Sequence, residues 1–226
     1  DLDGIGDALY AGDLFGNVWK VDIANKSVFD WEYDTGSGST PLPLFVAKTS
    51  SGVNQPITFR PSVAYHPEGG LLVMVGTGKY IETTDVDVAN QLTQSVYGIW
   101  DKPARTTTVL RNQLVAQTIT NVITTTTPKQ RETSQNVTDW STHHRWVLDL
   151  YYGGTNSGER MNSRVVVRGT TAAFTTLIPS TDVCTGGGTG HDTRLRCHPR
   201  VRRAGPGVAG EDGDRRQSSA AYIPRC

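Results

Sequence analysis

No stretch of this chain approaches the roughly 20 consecutive apolar residues that a membrane-crossing helix requires, so no transmembrane segment is expected. Cysteine is scarce too. Cys184, Cys197 and Cys226 are too few to define a disulfide framework, and an odd count leaves at least one thiol unpaired, so they do not report the redox compartment. The amino end carries neither an initiator Met nor a signal-peptide pattern. Catalytic constellations are missing as well. Lys79, Asp101, His144 and Arg160 are candidates to line a cleft, yet no Ser/His/Asp or paired-carboxylate spacing can be drawn among them. The adjacent His143 and His144 have no metal-binding partners at helical or convergent spacing and read as a loop pair. His66, before Pro67, reads as a turn residue. The run Gly186–Gly190 lacks the Lys-Ser/Thr ending of a phosphate loop and reads as a flexible or turn segment.

What is present favours strands. Glycine is abundant at 24 residues, threonines are many, and only 19% of residues are charged, which suits short strands joined by tight turns better than long helices. With 226 residues the chain can bury a substantial core. Residues 7–22 read as a hairpin and Ser27–Tyr33 as the next strand. Leu44–Lys48, Ile57–Phe59, Ser62–Tyr65, the apolar run Leu71–Val75, Val96–Trp100, Arg145–Leu150, Arg164–Arg168 and Ala172–Ile178 continue the list. A helical turn is expected around Val88–Leu92. The Thr-rich stretch from Thr106 to Thr142 suits either strands or an extended insertion.

The densest chemical signal is Asp1-Leu-Asp-Gly-Ile-Gly-Asp7. A hard divalent cation takes six to eight oxygens, and a D-x-[DN]-x-D-G loop supplies them because alternate side chains converge while glycine allows the sharp turn. In that register Asp1 is the third position, Asp3 the fifth, Ile5 offers its carbonyl at the seventh and Asp7 is the ninth. The first position then falls just before residue 1, so the chain is expected to begin inside its own site. Tyr10 stands where a helix-loop-helix site has its bidentate Glu, and a strand follows, so the loop is not an EF-hand. The same residues also compose an ordinary Asp/Gly-rich turn.

The hairpin Tyr10-Ala-Gly-Asp-Leu-Phe-Gly-Asn-Val-Trp-Lys-Val-Asp22 resembles the C-terminal β-propeller domain of the PilY/PilC-type type IV pilus biogenesis factors. Leu71–Ile81, Gln94–Asp101, Gly158–Arg160 and Phe174–Ser180 with Cys184–Gly190 resemble successive blocks of that domain, in order. The resemblance covers most of residues 1–190. It implies an all-β fold, and because blades take about 40–50 residues and a ring needs at least four, only a partial β-propeller with an unclosed ring. It further implies a Ca2+ loop on Asp1, Asp3, Ile5 and Asp7, with the first acidic ligand missing, whose occupancy regulates pilus extension and retraction. The implied partners are minor pilins, the pilus tip and host or abiotic surfaces. The implied location is extracellular or outer-membrane associated, at the pilus, and the action is non-enzymatic. Two alternatives stand beside it: a quinone-dependent (PQQ-type) dehydrogenase, whose propellers carry similar hairpins and bind calcium, and a fragment with no independent function.

Residues 191–226 read as a separate tail. They hold eight Arg and no Lys against four acids, whereas residues 1–190 hold 14 basic and 18 acidic residues. Such an Arg/Gly/Pro-rich composition cannot offset its ordering entropy, so a disordered C-terminal tail, or an out-of-frame reading, is expected. A basic tail for acidic partners is the other reading; no aromatics interleave with the arginines, and no nucleic acid partner is expected.

Overall fold

The computed structural model describes residues 6–24, 27–36, 38–88, 91–139, 142–180, 182 and 187–196. In chain order the strands are β1 (Ala8–Gly12), β2 (Asn17–Asp22), β3 (Glu32–Tyr33), β4 (Phe45–Val46), β5 (Ser62–Tyr65), β6 (Leu71–Gly76), β7 (Ser95–Asp101) and β8 (Val115–Gln117). Then follow β9 (Ile119–Ile123), β10 (Lys129–Thr133), β11 (Arg145–Asp149), β12 (Arg160–Met161), β13 (Val166–Arg168), β14 (Thr171–Pro179), β15 (Gly188–Thr189) and β16 (His191–Arg196). Only short 3-10 turns interrupt them among the described residues, and no helix there is long and apolar enough to cross a membrane.

The strands form three sheets. The first runs β1-β2-β3 with β4 also on β2, the second runs β5-β6-β7-β11-β8, and the third runs β12-β14-β16-β10-β9 with β13 and β15 on β14. The middle sheet explains the stacking. Because successive side chains of a strand point to opposite faces, Val73 and Val75 of β6 join Val18, Phe45 and Ile57 in one core, with Tyr97, Ile99 and Val147. Leu72 and Met74 of the same strand turn to the other face and join Met161, Ala172, Phe174 and Leu195, with Val96, Trp146 and Leu148. A sheet covered on both faces is apolar at every position, which is why β6 and β7 are buried along nearly their whole lengths. The result is an open arc of stacked sheets, the unclosed partial propeller expected.

Two close approaches set this packing. Gly16, at φ +86°, turns the β1–β2 hairpin, and a Cβ there would fall 2.6 Å from the Gln55 carbonyl oxygen and 2.7 Å from that of Ala47. On β7, Gly98 lies against the Trp146 indole, so the ring occupies the space a side chain would need.

The structure corrects several expectations. Ser27–Tyr33 is not one strand: Ser27 Oγ accepts from the Phe29 N–H at 3.3 Å and caps a 3-10 turn over Val28–Asp30 before β3. The helical turn expected around Val88–Leu92 lies earlier, over Thr83–Val86, where Asp85 Oδ2 accepts from the Ile81 and Glu82 N–H groups, both at 2.9 Å; residues 89–90 lie outside the described residues. The Thr-rich stretch is built into two sheets rather than inserted between them. β8 pairs parallel with β11, and β9 and β10 form an antiparallel pair in the third sheet. A parallel pair needs a long crossover, and the excursion through β9 and β10 supplies it for β8 and β11. Likewise β10 pairs parallel with β16.

The boundary drawn after Gly190 also moves. His191–Arg196 form β16, hydrogen-bonded between β14 and β10. His191, Thr193 and Leu195 are buried while Asp192 and Arg194 face outward, so a short period-2 strand is hidden inside an Arg-rich composition. Within the glycine run, Gly188–Thr189 form β15 against β14. The rest of the tail, 197–226, with Cys197 and Cys226, lies outside the described residues, as does Cys184.

Candidate functional site

The loop of carboxylates opens directly into β1. Asp1, Asp3 and Ile5 lie outside the described residues, and Asp7 is exposed at the mouth of the strand. Its carbonyl accepts from the Ile23 N–H at 3.0 Å, which extends the β1–β2 pairing by one step beyond Ala8 and Asp22. Asp7 is thus held by its backbone at an exposed position.

Asp13, in the turn of the same hairpin, is the contrasting case. Its Oδ1 accepts from the Phe15 and Asn17 N–H groups at 2.9 Å, and its Oδ2 from Asn17 Nδ2 at 2.8 Å and Trp19 Nε1 at 2.9 Å. Burial opposes ionisation of this carboxyl, yet these donors outweigh it and hold Asp13 below the usual range. A carboxylate so occupied organises a turn and has little left for a cation.

Beside Asp7 the first sheet is tied to the second by a charged clasp. Asp101, at the end of β7, is 4% exposed. Its Oδ2 accepts from Tyr10 Oη at 2.6 Å and meets Lys20 Nζ at 2.8 Å, while its Oδ1 lies 3.7 Å from Arg105 Nε. Arg105 in turn donates to Asp34, just past β3. Burial, and then the Asp101 charge, push the Tyr10 hydroxyl far above its ordinary pKa, so it remains a donor at any physiological pH. Two polar clefts open around the clasp. One, of about 310 Å³, is lined by Lys20, Asp22, Glu32, Asp34 and Arg105 among others, and the other, of about 290 Å³, by Asp7, Tyr10, Asp22, Asp101 and Lys102. Among the described residues no three His, Cys, Asp or Glu side chains converge as a metal site, and Asp1, Asp3 and Ile5 lie outside them.

The four cleft candidates separate. Lys79 and Arg160 come together: Arg160 Nη1 donates to the Lys79 and Asp85 carbonyls at 2.8 Å, and Lys79 Nζ lies 3.3 Å from Asp85 Oδ1. Asp101 belongs instead to the clasp. The His144 carbonyl accepts from the Trp100 N–H at 3.0 Å; burial, then Lys102, push its imidazole below the usual value. His143 is half-buried in the loop expected for the pair, its Nδ1 2.9 Å from Thr142 Oγ1. His66 does sit in its turn, with Nδ1 accepting from the Glu68 N–H at 3.1 Å, and it also stacks on Trp100 at 4.0 Å between ring centroids. Tyr10, Lys20, Asp34 and Arg105 gave no signal in the sequence, because nothing local links a hairpin to a side chain 91 positions away.

Comparison with known proteins places most of the chain in one family. The PilY1 beta-propeller domain matches residues 1–135. The type IV pilus biogenesis factor PilY1 of Pseudomonas aeruginosa (strain UCBPP-PA14) is 32% identical over 227 residues, covering 83% of this chain and 20% of that protein. A PilY1 homolog of Xylella fastidiosa (strain Temecula1) is 34% identical over 192 residues, covering 83% of this chain and 13% of its own length. The crystal structure of the Pseudomonas aeruginosa PilY1 C-terminal domain matches with a TM-score of 0.68 at 30% identity, covering 78% of this chain and 42% of that one. The chain therefore spans a fifth or less of these full-length relatives. By sequence and three-dimensional match, the chain belongs to the PilY1 beta-propeller family of type IV pilus biogenesis factors.

Proposed function

We propose that this chain is the calcium-responsive module of a type IV pilus biogenesis factor and adhesin, with Asp1, Asp3 and Asp7 giving carboxylate oxygens and Ile5 its carbonyl. The observation that supports the reading is the placement of Asp7, whose backbone is fixed by Ile23 at the start of β1 and which is exposed there, directly after residues 1–5 in the sequence. All four donors are oxygens, which fits a hard cation. When bound, the ion would supply positive charge to a loop that otherwise gathers three carboxylates.

Asp1, Asp3 and Asp7 repel one another without a cation, which favours a splayed loop; neutralised, they draw the segment onto the start of β1. β1 is bonded along its length to β2, and through Tyr10 and Asp101 to the second sheet. Order at the loop thus passes into the sheets that present surfaces to other proteins. On this reading the module acts through those surfaces and without catalysis, at the pilus, outside the cell or at the outer membrane. Its partners are minor pilins, the pilus tip and host or abiotic surfaces, and calcium biases the balance of pilus extension and retraction.

Calorimetric titration with calcium of this chain, and of one extended upstream through the first loop position, tests the site. Tight binding by the extended protein, weakened at least about tenfold by Asp7→Ala, is expected, since each lost carboxylate removes a charge and an oxygen. Negligible heat from both proteins would remove the metal from the proposal.

A further inference from the structure

Away from the loop and the clasp, two sheet edges lie side by side. β5 is an edge of the second sheet and β13 an edge strand of the third. In antiparallel pairs, residues alternate between those bonded to the partner and those whose N–H and C=O point away. The His66 N–H donates to the Gly70 carbonyl at 3.1 Å, one step beyond the Tyr65–Leu71 pair, which places Val63 and Tyr65 among the residues that turn their backbone groups outward. On β13, Arg168 and Thr171 close a two-residue turn opposite each other, so Val167 and Val165 turn outward. The Val165 carbonyl is indeed reached from the other side, by Ser62 Oγ of β5.

Between these edges lies an open groove of about 370 Å³, lined by Arg60, Ser62, Val63, Arg164, Val165 and Val167 among others. Val63 is 45% exposed, Tyr65 46% and Val166 40%, an apolar strip beside outward-facing backbone. Arg60, Arg164 and Arg168 are exposed around it, and among the described residues none of the three forms an ion pair.

We infer that this groove binds an extended acidic segment of another protein chain by strand addition, its backbone pairing with the outward groups of Val63 and Tyr65 and its carboxylates meeting Arg60 and Arg164. Main-chain pairing gives affinity in such a mode, and flanking side chains give selectivity. Charge selects the occupant: the chain's own residues 197–226, beyond β16, carry six Arg against three acids and have the wrong sign. Arginines and a proline beside an edge are also a common means of preventing association, and that competing role predicts no binding at all. The inference does not depend on calcium.

The test is fluorescence anisotropy with a labelled short synthetic peptide alternating Val with Glu, against a counterpart carrying Lys for Glu, at low and high salt. Saturable binding of the acidic peptide alone, weakened by salt, is expected. The double variant Arg60→Glu/Arg164→Glu, confined to exposed residues, is expected to weaken it by roughly tenfold or more. Val63→Pro removes an outward N–H but no bond to β6, and is expected to weaken binding while leaving the melting temperature nearly unchanged. Equal binding of the Lys peptide, indifference to the arginine variant, or no binding overturns the inference. Binding that disappears when the chain is lengthened to the size of its relatives overturns it too, by assigning the groove to the protein's own strand.

Discussion

Removing the Asp101 carboxylate is the sharpest perturbation of the link between the first two sheets. Asp101→Asn keeps the shape and an acceptor for Tyr10, and loses only the charge. Lys20, with its side chain 30% exposed, regains water, so its share is that of a surface pair, about 0–1 kcal/mol. Arg105 keeps Asp34. The Tyr10 bond falls from one made to a charged acceptor to a neutral one, a loss of about 1 kcal/mol. The sum is about 1–2 kcal/mol, or roughly 2–8 °C in melting temperature for a domain of this size. Asp101→Ala removes the acceptor altogether and leaves the buried Tyr10 hydroxyl and Arg105 short of a partner, at about 3–5 kcal/mol. Urea melts of Tyr10→Phe, Asp101→Asn and the double variant isolate the direct contact, with an expected coupling of about 1 kcal/mol. If Asp101→Ala lies within about 0.5 kcal/mol of the parent, the clasp contributes nothing, and the route from loop to second sheet fails with it.

Stability is expected to fall at both pH extremes for separate reasons. Burial opposes ionisation of Glu159, but the His191 imidazole 3.3 Å away, the Arg131 charge at 2.6 Å and the Thr176 hydroxyl hold its pKa below the usual value. A depressed carboxyl adds stability that is complete above its unfolded value, about 4.3, and is lost as pH falls through the folded value. Melts from pH 7 downward should show that acid loss, and Glu159→Gln should flatten it while costing about 3–5 kcal/mol at neutral pH through the stranded Arg131. Tyr10 behaves oppositely: its raised pKa adds stability that is complete below about 10 and lost as pH rises further, so Tyr10→Phe should flatten the alkaline limb. Gly98→Ala puts a Cβ 2.6 Å from Trp146 Cε2 and should cost about 1–3 kcal/mol in a urea melt, part of it recovered by Trp146→Phe.

The elements legible in the sequence are those whose pattern is set locally. The hairpin from Ala8 to Asp22 carries its own turn chemistry in Asp13 and Gly16, and the run at Leu71 is apolar because the sheet it enters is covered on both faces. Where a side chain competes with the strand, the pattern misleads, as Ser27 does by capping a turn inside an alternating stretch. Where composition is averaged over a long window, it hides short elements. The arginines after residue 190 masked the alternation of His191, Thr193 and Leu195, which is plain once those six residues are taken alone.

The candidate site divides along the same line. Ligand spacing within seven residues is local and can be read directly, so Asp1, Asp3, Ile5 and Asp7 stand out as a set. The clasp is not local: Tyr10, Lys20 and Asp34 meet Asp101 and Arg105 only because the β1–β2 hairpin stacks on the second sheet. The same stacking couples the two. Asp7 directly precedes β1 and Tyr10 lies at its middle, the first bonded by its carbonyl to Ile23 and the second fixed to the neighbouring sheet. A cation bound by the loop, as proposed, would act on a strand already anchored at its middle, and its binding energy would tighten the joint between sheets instead of being dissipated in a free end. Weakening the anchor by Asp101→Asn should accordingly lower calcium affinity in the upstream-extended protein, although Asp101 is not among the proposed ligands. An unchanged calcium titration for that variant would separate the loop from the joint.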